Sequence, residues 1–486
     1  MAKNKGLYSS QIRKIQERGR LIMTGRISFI LLISLVVGQL CYMRPARAQD
    51  SDRKYQMPLK VVLKEIESRF GVKIKYDEKQ VKDRELTYAL WRFRPTVDET
   101  LSQVLTPLDL KVNKEKEGVY KLKEYEYYRW PVQEGWEKLD TLASRYHDKA
   151  SWELRKDSLR KELWKALKLS LLPAKPISKP IVTPVRKMDG YTVQNIALEI
   201  LPGVYVNGSL YRPAKAKGKT PVVLSPDGHW QGHRFRKDAQ IRFAMTARMG
   251  AMAFSYDLFG WGESGLQFKY EDHRKSLSQT VQTLGALRIL DYLLSLPDAD
   301  TTRVAICGGS GGGSQTVLMA ALDPRIKLSI PVVSLSSYFY GGCPCESGMP
   351  IHLCGGGTNN VELAAMAAPN PQLIISDGGD WTAHMPEYDF PYLQKLYGYY
   401  GKPKLVENVH LPQDGHDFGF SKRKPVYDFM INHFGLDERA VKDKQGNYDE
   451  SKCTIEDEKI LYVFGEQGEK LPANALKGYE NLEKLF

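Results

Sequence analysis

The sequence predicts an α/β protein, a mostly parallel sheet flanked by helices, with a small α+β domain ahead of it. Three observations carry this. From residue 181 to about 434, short apolar runs alternate with helical segments, the pattern of parallel strands joined by crossover helices. Within that span the strand-like run Val304-Ala305-Ile306-Cys307 meets a glycine-rich turn and then a stretch of helical composition over 314–321. Ahead of it, residues 51–124 pass twice through a helix pattern followed by a strand pattern. A hydrophobic content of 42% with 26% charged residues is ordinary for globular protein, and 486 residues suffice for two or three units with cores of their own.

Residues 1–48 read as a signal peptide. An apolar run over 27–43 follows basic residues and precedes Ala46-Arg47-Ala48, a small-x-small pattern that predicts cleavage after Ala48. Gly38 and Gln39 interrupt the run, which is short for a membrane span of about 20 residues, so an uncleaved anchor is the lesser reading. Cys41 follows Leu40, where a lipoprotein signal places a small residue, and Met23 would open a shorter leader. The leader also holds much of the charge. Of the net +13, residues 1–48 carry +8, leaving +5 spread over the rest, which argues against a nucleic-acid or other acidic partner. The expected location is the periplasm or another exported compartment of a Gram-negative envelope, with no stable span after cleavage.

In residues 51–124, Leu59, Val62, Leu63 and Ile66 recur at helical spacing, and Gly71 precedes an alternating strand over 72–76. A strand over 87–90 follows, then a helix over 96–105 with Thr96 as N-cap and Glu99 three residues on, and a hairpin over 110–122 turning near Gly118. Residues 125–178 predict a helical linker or extension, amphipathic over 161–172 and ended by Pro173, Pro176 and Pro180. Its Trp130, Trp136, Trp152 and Trp164 fit core burial better than a sugar-binding face. From 179 to 486 the catalytic domain has strands expected at 204–211, 222–225, 251–256, 304–307, 328–333, 373–376 and 405–409, with a C-terminal extension that packs on its body.

The chemistry centres on Gly308-Gly309-Ser310-Gly311-Gly312. A nucleophile on a sharp strand-to-helix turn needs a backbone uncrowded by side chains, which is what glycines two before and two after Ser310 supply. The competing phosphate loop would need Lys-Ser/Thr after its last glycine, and that is missing; Ser314 is the neighbouring decoy. A serine hydroxyl needs a base and a group to orient it. His416, in Gln413-Asp414-Gly415-His416-Asp417-Phe418-Gly419, lies in a polar loop after the last strand, with His384 as the control histidine. The acid follows the penultimate strand in Asp377-Gly378-Gly379-Asp380, and Asp380 is preferred over Asp377 because the loop has had room to turn back. The oxyanion expects the N–H of Gly311 and that of His229 in Pro226-Asp227-Gly228-His229-Trp230, with Trp230 as alternate.

Residues 334–368 interrupt the fold as a cap would, with Glu346, Trp381 and Trp230 as expected substrate contacts. Cys343, Cys345 and Cys354 lie close together there. With His352 they form a conceivable Zn²⁺ site, but the usual two-residue gap between thiolates is missing, so a loop disulfide to Cys354 is the preferred reading and no metal is assigned. Cys453 leaves other pairings open.

Two resemblances follow from these residues. "LKVVLKEIESRFGVKIKYDEKQV" and "TVDETLSQVLTPLDLKV" resemble the short N-terminal domain of secretins and TonB-linked outer-membrane receptors, which implies an envelope protein partner. "SPDGHWQGH", "DLFGWGES", "GGSGGG" and "GHDFG", in that order, resemble the α/β-hydrolase superfamily, and within it the acetyl xylan esterase and dienelactone-hydrolase-like branch. The histidine-glycine pair common before the oxyanion donor is Asp227-Gly228 here. The resemblance implies ester hydrolysis through an acyl-enzyme without metal or organic cofactor. The expected protein is a serine carboxylesterase that removes small acyl groups from plant-type oligosaccharides. The alternatives are a serine peptidase of the same fold, or a non-catalytic envelope binding or signalling protein.

Overall fold

A computed structural model describes residues 56–486 apart from 88, 106, 107, 109, 125–129, 217, 340–343 and 347–349. The expected signal peptide lies outside the described residues. Among those described, no helix is long and apolar enough to cross a membrane. The chain forms two compact units, Met1–Glu126 and Tyr127–Phe486.

In the first unit, strand β1 (Gln56–Pro58) leads into helix α1 (Leu59–Phe70), ended by Gly71 in the left-handed conformation. Strand β2 (Lys73–Lys75), strand β3 (Glu85–Thr87), helix α2 (Val97–Leu105) and the hairpin β4 (Leu110–Lys116) and β5 (Val119–Glu124) follow. Thr96 accepts from the Glu99 N–H, as the sequence predicts for an N-cap, and its hydroxyl donates to the Glu99 carboxylate. Leu59, Val62, Leu63 and Ile66 pack with Leu101, Val104 and Leu122. The strand expected at 87–90 is displaced. Antiparallel pairing with β1 runs only from Glu85 to Thr87, and Ala89–Arg92 turn as a 3₁₀ helix that buries Ala89.

The second unit opens with helices α3 (Val132–Ala143) and α4 (Lys149–Ala166), whose Leu139, Trp152, Leu159 and Leu163 join the core beneath the large sheet. Trp152 is fully buried, but Trp164 points outward, so core burial does not account for all four tryptophans. The helix expected to run to 172 stops at Ala166, and a 3₁₀ turn takes over at Leu169–Leu171.

Ten strands build the sheet: β6 (Ile181–Val182), β7 (Arg186–Lys187), β8 (Tyr191–Leu201), β9 (Val204–Pro213), β10 (Thr220–Pro226), β11 (Met252–Tyr256), β12 (Ala299–Gly309), β13 (Leu328–Val332), β14 (Gln372–Asp377) and β15 (Val406–Leu411). Their spatial order is β6-β8-β9-β11-β10-β12-β13-β14-β15, with β7 also on β8. Pairing is antiparallel from β6 to β11 and parallel from β11 to β15. Side chains alternate between two cores: Val222 and Leu224 face helix α6 (Ser278–Ser295), and Val223 faces helix α5 (Lys237–Arg248) and helix α8 (Phe420–Phe434). The chain leaves β10 for β11 on one side and then returns to β12 on the other, so a crevice opens above their carboxyl ends. The C-terminal extension closes the antiparallel edge. Val463 and Phe464 pack on Ala197 and Tyr205, and Asn195 donates to the carbonyls of Ile460 and Tyr462.

Candidate active site

Ser310 stands between β12 and helix α7 (Gly311–Leu322), with φ 52° and ψ −124°. A side chain with φ positive is strained, and such strain persists only where the surroundings impose it. Here they do. The Ser310 N–H bonds the Val332 carbonyl of the neighbouring parallel strand. A Cβ at Gly308 would lie 2.5 Å from the Gly312 carbonyl oxygen, and one at Gly312 would overlap the Pro226 carbonyl oxygen. Both positions two residues from Ser310 therefore demand glycine, for the reason inferred from the sequence.

Strands β14 and β15 lie side by side, with Asp377 opposite Leu411, so their trailing loops meet. Glycine again permits the approach, since a Cβ at Gly378 would overlap the Pro412 carbonyl oxygen. His416 Nδ1 lies 2.6 Å from Asp380 Oδ2, and its Nε2 lies 2.9 Å from Ser310 Oγ. A carboxylate only accepts, so Nδ1 carries the hydrogen and Nε2 offers its lone pair to the serine hydroxyl. Asp380 is 3% exposed, and its Oδ1 accepts from the N–H and hydroxyl of Thr382, which fixes the carboxylate's orientation. Trp381 and Trp230 flank the His416 ring at 4.6 and 5.5 Å between centroids, and Trp381 is held by its N–H on the Ser334 carbonyl.

Asp377, the other acid considered, points away into a buried pair with Lys422 at 3.1 Å. Burial, and after it the nearby Asp380 charge, pushes its carboxyl above the usual range, while Lys422 opposes the shift. His384 pairs with Glu387 at the surface, away from the relay.

The loop after β10 packs against the serine. A Cβ at Gly228 would lie 2.9 Å from Ser310 Cβ and 2.7 Å from the Gly309 carbonyl oxygen. Asp227, which stands where a histidine was expected, is buried and pairs with Arg236 at 2.8 Å, with Arg242 farther off at 3.9 Å. Gly311 begins helix α7, and the first N–H groups of a helix have no intrahelical acceptor. The His229 ring and Glu346 both lie against Gly311, and they pair at 2.6 Å. Glu346 is thus buried and its carboxylate faces a histidine. His273, set aside from the sequence as lacking the features of a catalytic base, meets the ring of His229; nothing in the local pattern around Tyr270-Glu271-Asp272-His273 marks it.

The expected disulfide to Cys354 is absent. Cys354 is a buried free thiol beside the Pro350 carbonyl, and Cys307 and Cys453 are also free. Cys345 is disulfide-bonded. The 3₁₀ turn Ile351–Gly356 that carries Cys354 is clamped by Arg145 and Arg155 on the carbonyls of Gly355 and Gly357. His352, the remaining member of the conceivable Zn²⁺ set, bonds Asn360 instead.

Comparison with known proteins finds esterases. Residues 186–340 match the acetyl xylan esterase family. Acetyl esterase Axe7A of Xylanibacter ruminicola is 30% identical over 175 residues, which are 31% of this chain and 38% of that protein. The solved structure of Methylesterase BT1017 is 50% identical, with a TM-score of 0.73 over 90% of this chain and 97% of its own. The chain belongs to the esterase family of that methylesterase. The esterase carries its serine, histidine and aspartate in the chain order of α/β-hydrolases, at the carboxyl ends of β12, β15 and β14.

Proposed function

We propose that the esterase is a serine carboxylesterase acting on small esters of carbohydrates, through an acyl-enzyme on Ser310. The unbroken contact from Ser310 Oγ through His416 to Asp380 supports this most directly. In this reading, Ser310 Oγ attacks the ester carbonyl while His416 Nε2 takes its proton. Asp380 holds the ring and stabilises the imidazolium that forms. The N–H groups of Gly311 and His229 receive the oxyanion, each worth about 3 kcal/mol. His416 then protonates the departing alkoxide, and a water repeats the sequence on the acyl-enzyme. Trp230 and Trp381, beside His416, border the substrate.

Which ester is cleaved rests on the likenesses. The methylesterase matches nearly the whole chain, so we place the methyl ester of a carbohydrate acid first, with methanol leaving. The acetyl ester expected from the sequence stands second, favoured by the family match over 186–340. Export to the envelope, and an envelope protein partner for the N-terminal unit, are carried forward on the sequence alone. The deciding experiment measures methanol and acetate released from methyl-esterified and acetylated plant polysaccharides, beside Ser310→Ala. Methanol lost with the serine supports the first reading, acetate lost with it the second. Release of neither, from those substrates and from 4-nitrophenyl acetate, sinks both.

A further inference from the structure

Next to the Ser310 turn lies a chain of polar groups that the relay does not use. His273 Nδ1 is 2.5 Å from the Phe259 carbonyl oxygen, His273 Nε2 is 2.6 Å from His229 Nε2, and His229 Nδ1 is 2.6 Å from Glu346 Oε1. A carbonyl oxygen only accepts, so His273 Nδ1 carries a hydrogen; a carboxylate only accepts, so His229 Nδ1 carries one too. Were both rings neutral, two lone pairs would confront each other across 2.6 Å. With Glu346 ionised, a hydrogen must lie between them.

The distance tests this against a metal ion. A tetrahedral divalent ion with bonds of about 2.0–2.1 Å would hold the two nitrogens roughly 3.3 Å apart. Cys345, whose sulfur is 3.1 Å from His229 Nε2, is disulfide-bonded and offers no thiolate. The 2.6 Å spacing is closer to a short N–H···N hydrogen bond than to a bridging ion. Burial, and after it the neighbouring His229, lowers His273 to about 4, so His273 is the neutral acceptor.

We propose that His229 is a positioning residue, an imidazolium gripped by Glu346 on one side and neutral His273 on the other, which fixes the loop after β10 against the nucleophile turn. The proposal rests on the serine-esterase reading and adds the device that aims the His229 N–H at the oxyanion. The chain joins three segments: the loop after β10, the turn Tyr270–Arg274 that follows β11, and residues 344–346. It presses on Gly311, where a Cβ would lie 2.6 Å from His229 Cε1 and 2.9 Å from Glu346 Oε1.

Among the described residues, the groups facing the His229 ring include Glu346, His273 with Arg274 behind it, the Cys345 disulfide, the edge of Trp261, and Gly311 of the turn that bears Ser310. Within this set the clasp holds with one shared proton. Losing that proton at high pH opposes two lone pairs, and adding a second at low pH opposes two N–H groups.

The test is Glu346→Gln, which removes the charge that favours the imidazolium. The alkaline limb of kcat is expected to move to lower pH by about one unit, kcat to fall about tenfold and KM to stay within about twofold. Glu346→Asp should restore part of the loss. Ring ¹⁵N NMR, assigned with His229→Gln, should show both His229 nitrogens protonated at neutral pH. An unchanged alkaline limb in Glu346→Gln, a neutral His229 ring, or activity removed by a chelator and restored by Zn²⁺ would overturn the proposal. Stoichiometric labelling of Ser310 by a fluorophosphonate separates the two levels. A labelled serine with an unmoved pH profile sinks the clasp alone, whereas an unlabelled wild type sinks the esterase mechanism beneath it.

Discussion

The turn at 308–312 and the loop at 226–230 leave neighbouring parallel strands and meet at Ser310, yet they are held by different means. The turn is fixed by its own backbone: positive φ at Ser310, one bond to Val332, and glycines where any Cβ would collide. The loop is fixed by side chains brought from afar, with Arg236 and Arg242 on Asp227 and Glu346 and His273 on His229. A backbone device tolerates almost no substitution but needs no partner. A side-chain device tolerates conservative exchange but fails when a distant segment shifts.

That contrast is open to attack at several levels. The largest effect belongs to the turn's single side chain: Ser310→Ala should lower kcat/KM by about 10⁴-fold or more with the thermal midpoint almost unchanged, measured on 4-nitrophenyl acetate. Next come the two acids of one loop. Asp380→Asn should cost about 10³ to 10⁴ in kcat because the His416 tautomer is lost. Asp377→Asn should leave kcat within about threefold but cost about 3 kcal/mol in chemical denaturation, since it strips a buried Lys422 of its nearest buried carboxylate. Equal kinetic losses from the two would break the assignment.

Smaller effects compare the two devices directly. Gly312→Ala, which drives a methyl into the Pro226 carbonyl, should reduce kcat about 100-fold, whereas Arg236→Lys, which keeps a charge for Asp227, should reduce it by less than about tenfold. The reverse order would show that the loop, not the turn, is the rigid partner. The mildest test concerns the segment after β13. Asp389 is fully buried and accepts from the Ser337 N–H, and burial raises its carboxyl to about 7. A raised carboxyl favours the folded state while protonated, so its contribution is complete below about 4 and is lost as pH climbs through about 7. The unfolding midpoint should therefore fall between about pH 4 and 7, and Asp389→Asn should flatten that slope; the whole effect is no more than about 4 kcal/mol.

Ser310, Asp380 and His416 were legible because each follows an apolar strand and sits among glycines that a sharp turn or close approach requires. Strand β8 was not recognised, because Asn195 and Glu199 break its apolar pattern. Both are buried, and their partners, the carbonyls of Ile460 and Tyr462 for Asn195 and the Gly203 N–H for Glu199, become visible only once the chain has folded back. Cys354 looked available for a disulfide by proximity in sequence, but its thiol is free, and two arginines from helix α4 and the residues before it hold its turn.

The sequence by itself determined the parallel α/β body, the glycine-rich turn at Ser310 and the chain order of Ser310, Asp380 and His416. These depend on backbone sterics and strand-to-loop spacing, which act over a handful of residues. Tertiary structure decided that Asp377 goes to Lys422 and Asp380 to His416, that Asp227 is buried against arginines, and that His229 meets both Glu346 and His273. Those partners lie up to 117 residues apart, as in Glu346 and His229. A side chain's partner is set by where the sheet delivers it, and no local pattern records that address.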